Sequence, residues 1–513
     1  MLRPLIMATV AAVLLAGCNA GDDKSSEQAP ADTTPSASAT PTAPEFPAFD
    51  PPKAFTPVSA LAQTSTGELN TAFDINAGMV GQTALYAVRR GLTGYTLGAN
   101  TWEVPSSDDP TTTTSDFTEP MAVQLDGKEV IAVAYSQHVQ GSGTQKSHGQ
   151  VKVQWIDPAD GKVLAEAVAD LSALLGPGNG VRNFSPAAYD AATGQIAVGV
   201  QVQSPDRSTK LNKLTVFADP ATKKATPIPS VTAAGVRDGV VVAAKGDQQE
   251  GAKNSAIVQV DGVTAAVKKT IPVPMMNYLS PVGSGGKHGY FVGHGYVKDT
   301  KYDGHYVSSY YATDIATGTV VETKLPNSPD STTQGSCWSD HVASMVCTGS
   351  ANLQQVDITG FDDTTGKKTW GYSAASANRV VPTVTAIYNG LVYGTADGQP
   401  ILLDAKTGQD VAVPSATPSD GSTPSDGSTP SDGSTPGDGE SPSDGESPGD
   451  AASPSDIPTS LPSRGGWGDT SLLYGRPKSP AMVSKYGSAY LQDPGNEAPL
   501  KTEKILVVQK AVG

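Results

Sequence analysis

Short apolar runs alternate with turn-forming residues through most of the chain between residues 54 and 414. The runs are rich in β-branched residues, as in VIAVAY at 130–135 and VVVAA at 240–244, and clusters of Gly, Asp and Thr separate them. Almost no segment shows the 3.6-residue period of an amphipathic helix. The pattern predicts strands joined by turns, and therefore an all-β domain.

A turn motif recurs along these strands. A strand ends in Asp, and the best copies have Thr three residues later and Gly four residues later. The Asp carboxylate accepts hydrogen bonds from backbone N–H groups further along the turn, and Gly adopts the positive φ that other residues resist. Successive copies lie 42 to 62 residues apart, close to the roughly 40–50 residues of a four-stranded propeller blade. The copies start at Asp157, Asp219, Asp261, Asp314, Asp362 and Asp404.

We expect each of these turns to join the last two strands of a blade, whereas the similar sequence at Asp190 joins a different pair. The chain is then a β-propeller of four-stranded antiparallel blades, with eight blades favoured and seven as the alternative. A strand at 54–64 completes the last blade at 470–511, which closes the ring and removes exposed sheet edges. The other blades are assigned to 68–105, 120–170, 185–229, 231–275, 281–326, 338–374 and 380–414.

The most complete copies of the turn resemble the PQQ-like (quinoprotein-type) β-propeller repeat, over roughly 120–414. The resemblance implies a propeller fold. Only Trp370 stands at the Trp position that follows the motif, so a full ring of docked Trp side chains is not expected. The adjacent Cys pair typical of quinoprotein alcohol dehydrogenases is also missing, so no bound quinone is implied. The residues that carry the resemblance are Asp314, Thr317 and Gly318; Asp362, Thr365 and Gly366; and Asp404, Thr407 and Gly408.

The N-terminus has the order of a targeting signal. Arg3 precedes an apolar stretch at 5–15, which is too short to span a bilayer as a helix, and Leu-Ala-Gly-Cys follows and ends at Cys18. This order resembles a bacterial lipoprotein signal. The resemblance implies cleavage before Cys18 and acylation of that residue, with palmitate among the acyl chains. The alternative is an ordinary secretory signal in which the Cys is incidental.

Two low-complexity segments hold most of the net charge of −16. Residues 19–50 contribute −5, and a Pro-containing hexad repeat at 415–463 contributes −9 with no basic residue. Both segments lack apolar residues to bury and are predicted to be disordered. The rest of the chain is nearly balanced in charge and offers no basic surface for nucleic acid. The expected domains are a signal peptide at 1–17, a stalk at 18–53, the propeller at 54–414, the acidic insertion at 415–463 and C-terminal propeller strands at 464–513.

Candidate chemistry is limited to a few Cys and His residues. Cys337 and Cys347 remain once Cys18 is acylated, and their short spacing predicts a disulfide across a hairpin. A redox-active pair, or a zinc site that includes His341, are the weaker alternatives. Three further histidines, which could either line a metal site or make ordinary loop contacts, are His288, His294 and His305.

No nucleophile elbow, phosphate-binding loop or dinucleotide fingerprint occurs in the context that each requires. We therefore expect a non-enzymatic binding or scaffold module for envelope proteins or ligands, without cofactor, metal or nucleic acid. It would be a monomer, anchored by lipid on the extracytoplasmic side of the cell membrane. An extracytoplasmic enzyme, including a relative of PQQ-type dehydrogenases, is one alternative. A sensor of carbohydrate or cell-wall fragments is another.

Overall fold

The computed structural model describes residues 46–513, apart from internal gaps. The predicted signal peptide, nearly all of the stalk and the acidic insertion fall outside the described residues, so those predictions stay open. All described residues belong to one compact unit. The gaps are 64–75, 99–100, 205–210, 247–254, 275, 277, 298–304, 326–333, 352–353, 375–378, 413–479 and 493–503.

The described chain forms eight antiparallel sheets, and the first strand, β1 (Phe55–Gln63), belongs to the last of them. Blade 1 contains β2 (Asn76–Val80), β3 (Thr83–Val88), β4 (Gly91–Thr96) and β5 (Thr101–Pro105). Blade 2 contains β6 (Thr112–Phe117), β7 (Met121–Leu125), β8 (Lys128–Val139), β9 (His148–Ile156) and β10 (Val163–Asp170), and a single helical turn, α1 (Ser172–Leu175), follows it. Blade 3 contains β11 (Gly180–Phe184), β12 (Ala188–Tyr189), β13 (Ile196–Gln203), β14 (Lys213–Asp219) and β15 (Lys224–Pro229). Blade 4 contains β16 (Val231–Arg237), β17 (Val240–Lys245), β18 (Ala256–Asp261) and β19 (Val267–Pro272).

The remaining four sheets follow the same order from the inner strand outward. Blade 5 contains β20 (Tyr278–Ser284), β21 (His288–Val297), β22 (His305–Asp314) and β23 (Val320–Lys324). Blade 6 contains β24 (Gln334–Ser339), β25 (Ser344–Ala351), β26 (Gln354–Asp362) and β27 (Lys367–Ser373). Blade 7 contains β28 (Thr383–Tyr388), β29 (Leu391–Ala396) and β30 (Gln399–Asp404). Blade 8 contains β31 (Met482–Ser484), β32 (Gly487–Gln492) and β33 (Lys504–Ala511), and β1 pairs with β33 on its outer edge.

This arrangement confirms the predicted β-propeller and its eight blades. The pairing of β1 with β33 joins the two ends of the domain in one sheet, with Phe55 opposite Ala511. Beyond the ladder, the backbone N–H of Ala54 donates to the carbonyl of Gly513 over 3.3 Å. Because one blade is built from both ends of the chain, the ring cannot open without breaking a β-sheet.

The core of the molecule lies between the blades. The buried apolar residues form eight clusters among the described residues, and each cluster is shared by two neighbouring blades. Trp155 is the largest of them, fully buried between blades 2 and 3, and its indole N–H donates to the carbonyl of Gly194 over 2.8 Å. Burial of apolar area on both faces of every sheet is the main stabilising contribution.

The Asp turns identified in the sequence join the last two strands of blades 2 to 6, and we call them corner turns. In blade 7 the turn follows β30 and leads to a single bridge between Leu403 and Asp410. In blade 7, Asp404 Oδ1 accepts the backbone N–H and the hydroxyl of Thr407 at 2.8 and 2.9 Å, and Gly408 has a φ of 66°. The turn at Asp190 differs, because it joins β12 to β13 in blade 3. The other corner turns lie at Asp157, Asp219, Asp261, Asp314 and Asp362.

The expectation that only Trp370 would occupy the Trp position is wrong. Trp370 docks on the next corner turn, where its indole N–H donates to Ala405 at 2.8 Å and its ring covers Gly408. Trp102 in blade 1 docks on the blade 2 corner in the same way, with its N–H 3.1 Å from the carbonyl of Pro158. Trp102 was missed in the sequence because the turn before it, Leu-Gly-Ala-Asn, lacks the Asp of the motif. Lys269 takes the corresponding place in blade 4, where its ammonium group donates to two carbonyls of the blade 5 corner.

Candidate functional site

The inner strands of blades 2 and 3 are each interrupted part-way along their length. Strands β6 and β7 both pair with β8, and β11 and β12 both pair with β13, so each inner strand is broken into two pieces. The breaks contain Pro120 and Pro186, which have no N–H to give to the sheet. The ladder pairing stops after Phe117 and Phe184 and resumes at Met121 and Ala188, and residues 117–120 and 184–187 line the middle of the ring.

The middle of the ring is a cavity of about 2630 Å³, which we call the central cavity. Described residues from every blade except blade 4 line it. The volume exceeds the roughly 300–1,000 Å³ of a typical small-molecule pocket. It is therefore large enough for an extended ligand rather than a single small group.

Aromatic side chains are partly exposed on several sides of the cavity. Tyr278 lies 6.0 Å, centroid to centroid, from the ring of His294 on the neighbouring strand. Trp338 comes from blade 6 and Tyr388 from blade 7. Rings of this kind offer flat apolar surface, and their negatively polarised faces attract cations.

Acidic groups also line the cavity. Glu119 and Glu129 come from blade 2, on either side of β7. Glu119 is exposed at the cavity wall, and partial desolvation of its carboxyl by nearby protein raises its pKa. Burial also raises the pKa of Glu129, although the nearby ammonium group of Lys485 opposes the shift.

Two residues meet across the ring at one end of the cavity. The ring of Tyr189 in blade 3 lies 4.0 Å, centroid to centroid, from the ring of His341 in the first turn of blade 6. Burial lowers the pKa of His341 to about 4, so the imidazole is neutral at pH 7. Its Nδ1 is buried without a hydrogen-bond partner among the described residues. The contact narrows this end of the cavity between blades 3 and 6.

The structure confirms the predicted disulfide between Cys337 and Cys347. Cys337 on β24 and Cys347 on β25 face each other in register, with their Cα atoms 4.0 Å apart. Cys337 also lines the central cavity. His341 lies near this pair in sequence, but no group of three or more potential metal ligands is found in the part of the chain that the structure describes.

The three clustered histidines have separate environments. His288 is buried, and its Nδ1 donates to the carbonyl of Asp363 over 2.6 Å. Burial lowers the pKa of His288, but its hydrogen bonds and charge contact with Asp363 outweigh this, so the pKa is raised. His294 lines the cavity and lies 2.7 Å from the hydroxyl of Ser308. The side chain of His305 and the acylation candidate Cys18 lie outside the description.

Sequence reasoning missed Glu119 and Tyr189. The available signal was the pair of prolines at the starts of the blades predicted at 120–170 and 185–229, because Pro marks a break when a strand precedes it, as β6 and β11 do here. The meeting of Tyr189 with His341 had no such signal, because 152 positions separate them in the sequence.

No protein-family model matches the chain, and no curated protein matches it either. Solved structures with a similar fold include the quinohemoprotein alcohol dehydrogenase from Comamonas testosteroni, which is 10% identical with a TM-score of 0.37 over 70% of this chain and 68% of that one. Hydrazine synthase from Kuenenia stuttgartiensis is 10% identical with a TM-score of 0.37, over 67% of this chain and 99% of that one. The β-propeller domain of the Trilobed protease from Pyrococcus furiosus is 13% identical with a TM-score of 0.31, over 56% of this chain and 80% of that one. Likenesses this distant carry no argument about activity.

Among the described residues, no helix has both the length and the apolar character needed to cross a bilayer.

Proposed function

We propose that the protein is a lipid-anchored, extracytoplasmic propeller that binds a ligand in its central cavity. The observation behind this proposal is the cavity wall, where accessible aromatic rings and carboxyl groups surround about 2630 Å³. Binding sites are concave and combine apolar surface with a few polar groups that orient the ligand. The signal-like N-terminus and the Pro-rich stalk support the placement outside the cell.

The anchor is tested by mass spectrometry of the mature protein isolated from membranes. We expect the chain to begin at Cys18 with acyl chains attached, and Cys18→Ala to release the protein from the membrane fraction. An unmodified mature terminus at another residue would disprove the anchor.

The binding function is tested with the full lipidated protein in detergent, by crosslinking in cells and by calorimetry with candidate ligands. We expect a specific ligand or envelope partner whose binding Trp338→Leu weakens, because Trp338 lines the cavity. The control is Trp102→Phe, because Trp102 docks at a corner turn outside the cavity. Equal effects of both variants would argue against binding in the cavity.

A hydrolytic enzyme is a second candidate, favoured by one observation. The hydroxyl of Ser308 lies 2.7 Å from Nδ1 of His294, which lines the cavity. A hydroxyl beside an imidazole is the arrangement by which a base activates a serine nucleophile. Labelling of wild-type protein by a fluorophosphonate probe, lost in Ser308→Ala, would establish it, and no labelling would remove it.

A further inference from the structure

The charges on the wall of the central cavity are unbalanced. Among its described lining residues there are four carboxylates but one ammonium group, that of Lys485. The Lys485 ammonium group also lies 5.1 Å from the centroid of the Tyr486 ring, and Tyr486 does not line the cavity. The cavity therefore has a net negative charge when its carboxylates are ionised.

Two of the four carboxylates are satisfied by the protein itself. Asp340 accepts backbone N–H groups from its own turn and, through Oδ2, from Gly390 at 3.1 Å. Asp50 accepts the amide N–H of Asn389 at 2.7 Å. These two groups have protein partners and need no ligand.

Glu119 differs from them. It lies in the break of the blade 2 inner strand, directly before Pro120, and its side chain lines the cavity. It has no hydrogen-bond or ion-pair partner among the described residues. The residue is exposed and lines the cavity, so its carboxylate is accessible to a positively charged ligand there. A cation in the cavity would be its partner.

The rest of the wall suits an organic cation better than a bare metal ion. Calcium or magnesium requires several oxygen ligands that converge on one point, and no such group of acids occurs among the described residues. Instead, the rings of Tyr278, Trp338 and Tyr388 are partly exposed on other blades. Aromatic faces bind alkylammonium and guanidinium groups.

We infer that the central cavity binds an extended organic cation that carries amine or guanidinium groups, with Glu119 as its counter-ion and the aromatic rings as its apolar wall. The inference deepens the proposed binding function by naming the ligand class. The cavity volume of about 2630 Å³ and the second carboxyl, Glu129, favour a ligand with more than one positive group. A polyamine and a short basic peptide share this chemistry.

The test is isothermal calorimetry with the full lipidated protein in detergent. The cationic probes are spermidine and trilysine, and the comparison probes are triglutamate and maltotriose. We expect both cations, or one of them, to bind, and binding to weaken at high ionic strength because salt screens the attraction. The stronger of the two identifies the source of the cation as a polyamine or a peptide.

Glu119→Gln is expected to weaken cation binding about tenfold or more, because it removes the counter-ion. Trp338→Leu is expected to weaken it roughly threefold. The matched control is Glu166→Gln, since Glu166 lies on the outer strand β10 and pairs with Lys152 at 2.9 Å. Circular dichroism and the unfolding midpoint of each variant show whether it has folded.

Equal cation affinity in wild type and folded Glu119→Gln would overturn the inference, as would the absence of cation binding to the wild type. If maltotriose or triglutamate binds while the cations do not, the ligand class is wrong but the cavity remains a binding site. If no probe binds and crosslinking recovers no partner, the proposed binding function itself fails.

Discussion

The corner turns and the wall of the central cavity follow opposite rules. At the corners of Asp314, Asp362 and Asp404, the Thr hydroxyl donates to the Asp carboxylate, and the following glycines have φ angles of 65°, 69° and 66°. The inner strands that form the wall differ from blade to blade, and two of them are interrupted. The corner turns have similar surroundings in successive blades, so the same turn sequence and hydrogen bonds recur. The cavity wall makes no contact that recurs from blade to blade, so its side chains can differ between blades and can bind a ligand.

The side chains that dock on the corner turns show which feature recurs from blade to blade. Trp102, Lys269 and Trp370 have different chemistry or different preceding turns, yet each donates to carbonyls of the next corner. The corner needs a donor at that place more than it needs one residue type. Variants at the corners should therefore change stability, whereas variants at the wall should change binding.

The largest effect is expected from Trp370→Ala. The indole covers Gly408 and donates to Ala405, so we expect the free energy of unfolding to fall by about 3 kcal/mol. The control Trp370→Phe keeps a ring and loses the N–H, which should cost about 1 kcal/mol. Urea denaturation followed by fluorescence or circular dichroism measures both. If Trp370→Ala costs no more than Trp370→Phe, docking of the ring does not stabilise the corner.

The next effect concerns the disulfide between Cys337 and Cys347, of which Cys337 lines the cavity. Replacing both Cys337 and Cys347 by Ala should lower the free energy of unfolding by about 2–3 kcal/mol, since the short loop gains freedom in the unfolded chain. Reduction of the wild type by dithiothreitol should produce the same shift in the urea midpoint. The variant itself should not respond to dithiothreitol, and a response would mean that the reductant acts elsewhere.

Gly408→Ala tests the corner backbone directly. Gly408 has a φ of 66°, and an added Cβ would lie 2.4 Å from the Trp370 ring. We expect a loss of about 2 kcal/mol from strain and displacement of the ring. Gly390 is the matched control, because its φ is 81° but nothing lies within 4 Å of an added Cβ. Gly390→Ala should lower the free energy of unfolding by about 1 kcal/mol. Equal losses in the two variants would show that the Trp370 ring moves aside at no cost.

The smallest effect is expected at the cavity wall, from Glu119→Gln. Because the folded-state pKa of Glu119 is raised, the folded protein holds this proton more tightly than the unfolded chain does. The wild type therefore loses stability as the pH rises from the ordinary glutamate pKa to the raised one. The variant should melt at a slightly higher temperature than wild type at pH 7, and at the same temperature at acidic pH.

Glu166→Gln provides the comparison for this pH profile, because its carboxylate pairs with Lys152 at 2.9 Å. It should not raise the melting temperature at neutral pH. A Glu119→Gln variant less stable than wild type at pH 7 would show that the carboxylate has a stabilising partner. Stabilisation combined with lost cation binding would instead mark Glu119 as a residue retained for function.

Most of the propeller could be predicted from the sequence because its signals are local. The β-branched runs, the Asp turns and their spacing predicted the propeller, favoured eight blades over seven, and placed the closing strand at the N-terminus. Trp102 was missed because the recognised signal was the turn before it, and that turn has a different sequence. The breaks at Pro120 and Pro186 were not predicted, because the blades were assigned from 120 and 185 and the strands before them, β6 and β11, were missed.

The sequence by itself determined the β-propeller fold and the positions of the six Asp corner turns, since hydrogen bonds within a turn depend on residues a few positions apart. Only the tertiary structure decided that Glu119 faces an open cavity with no partner among the described residues, and that Tyr189 contacts His341. Those relations join blades 2, 3 and 6, and closure of the ring sets them. The distances between blades depend on the packing of all eight interfaces together, which no local pattern records.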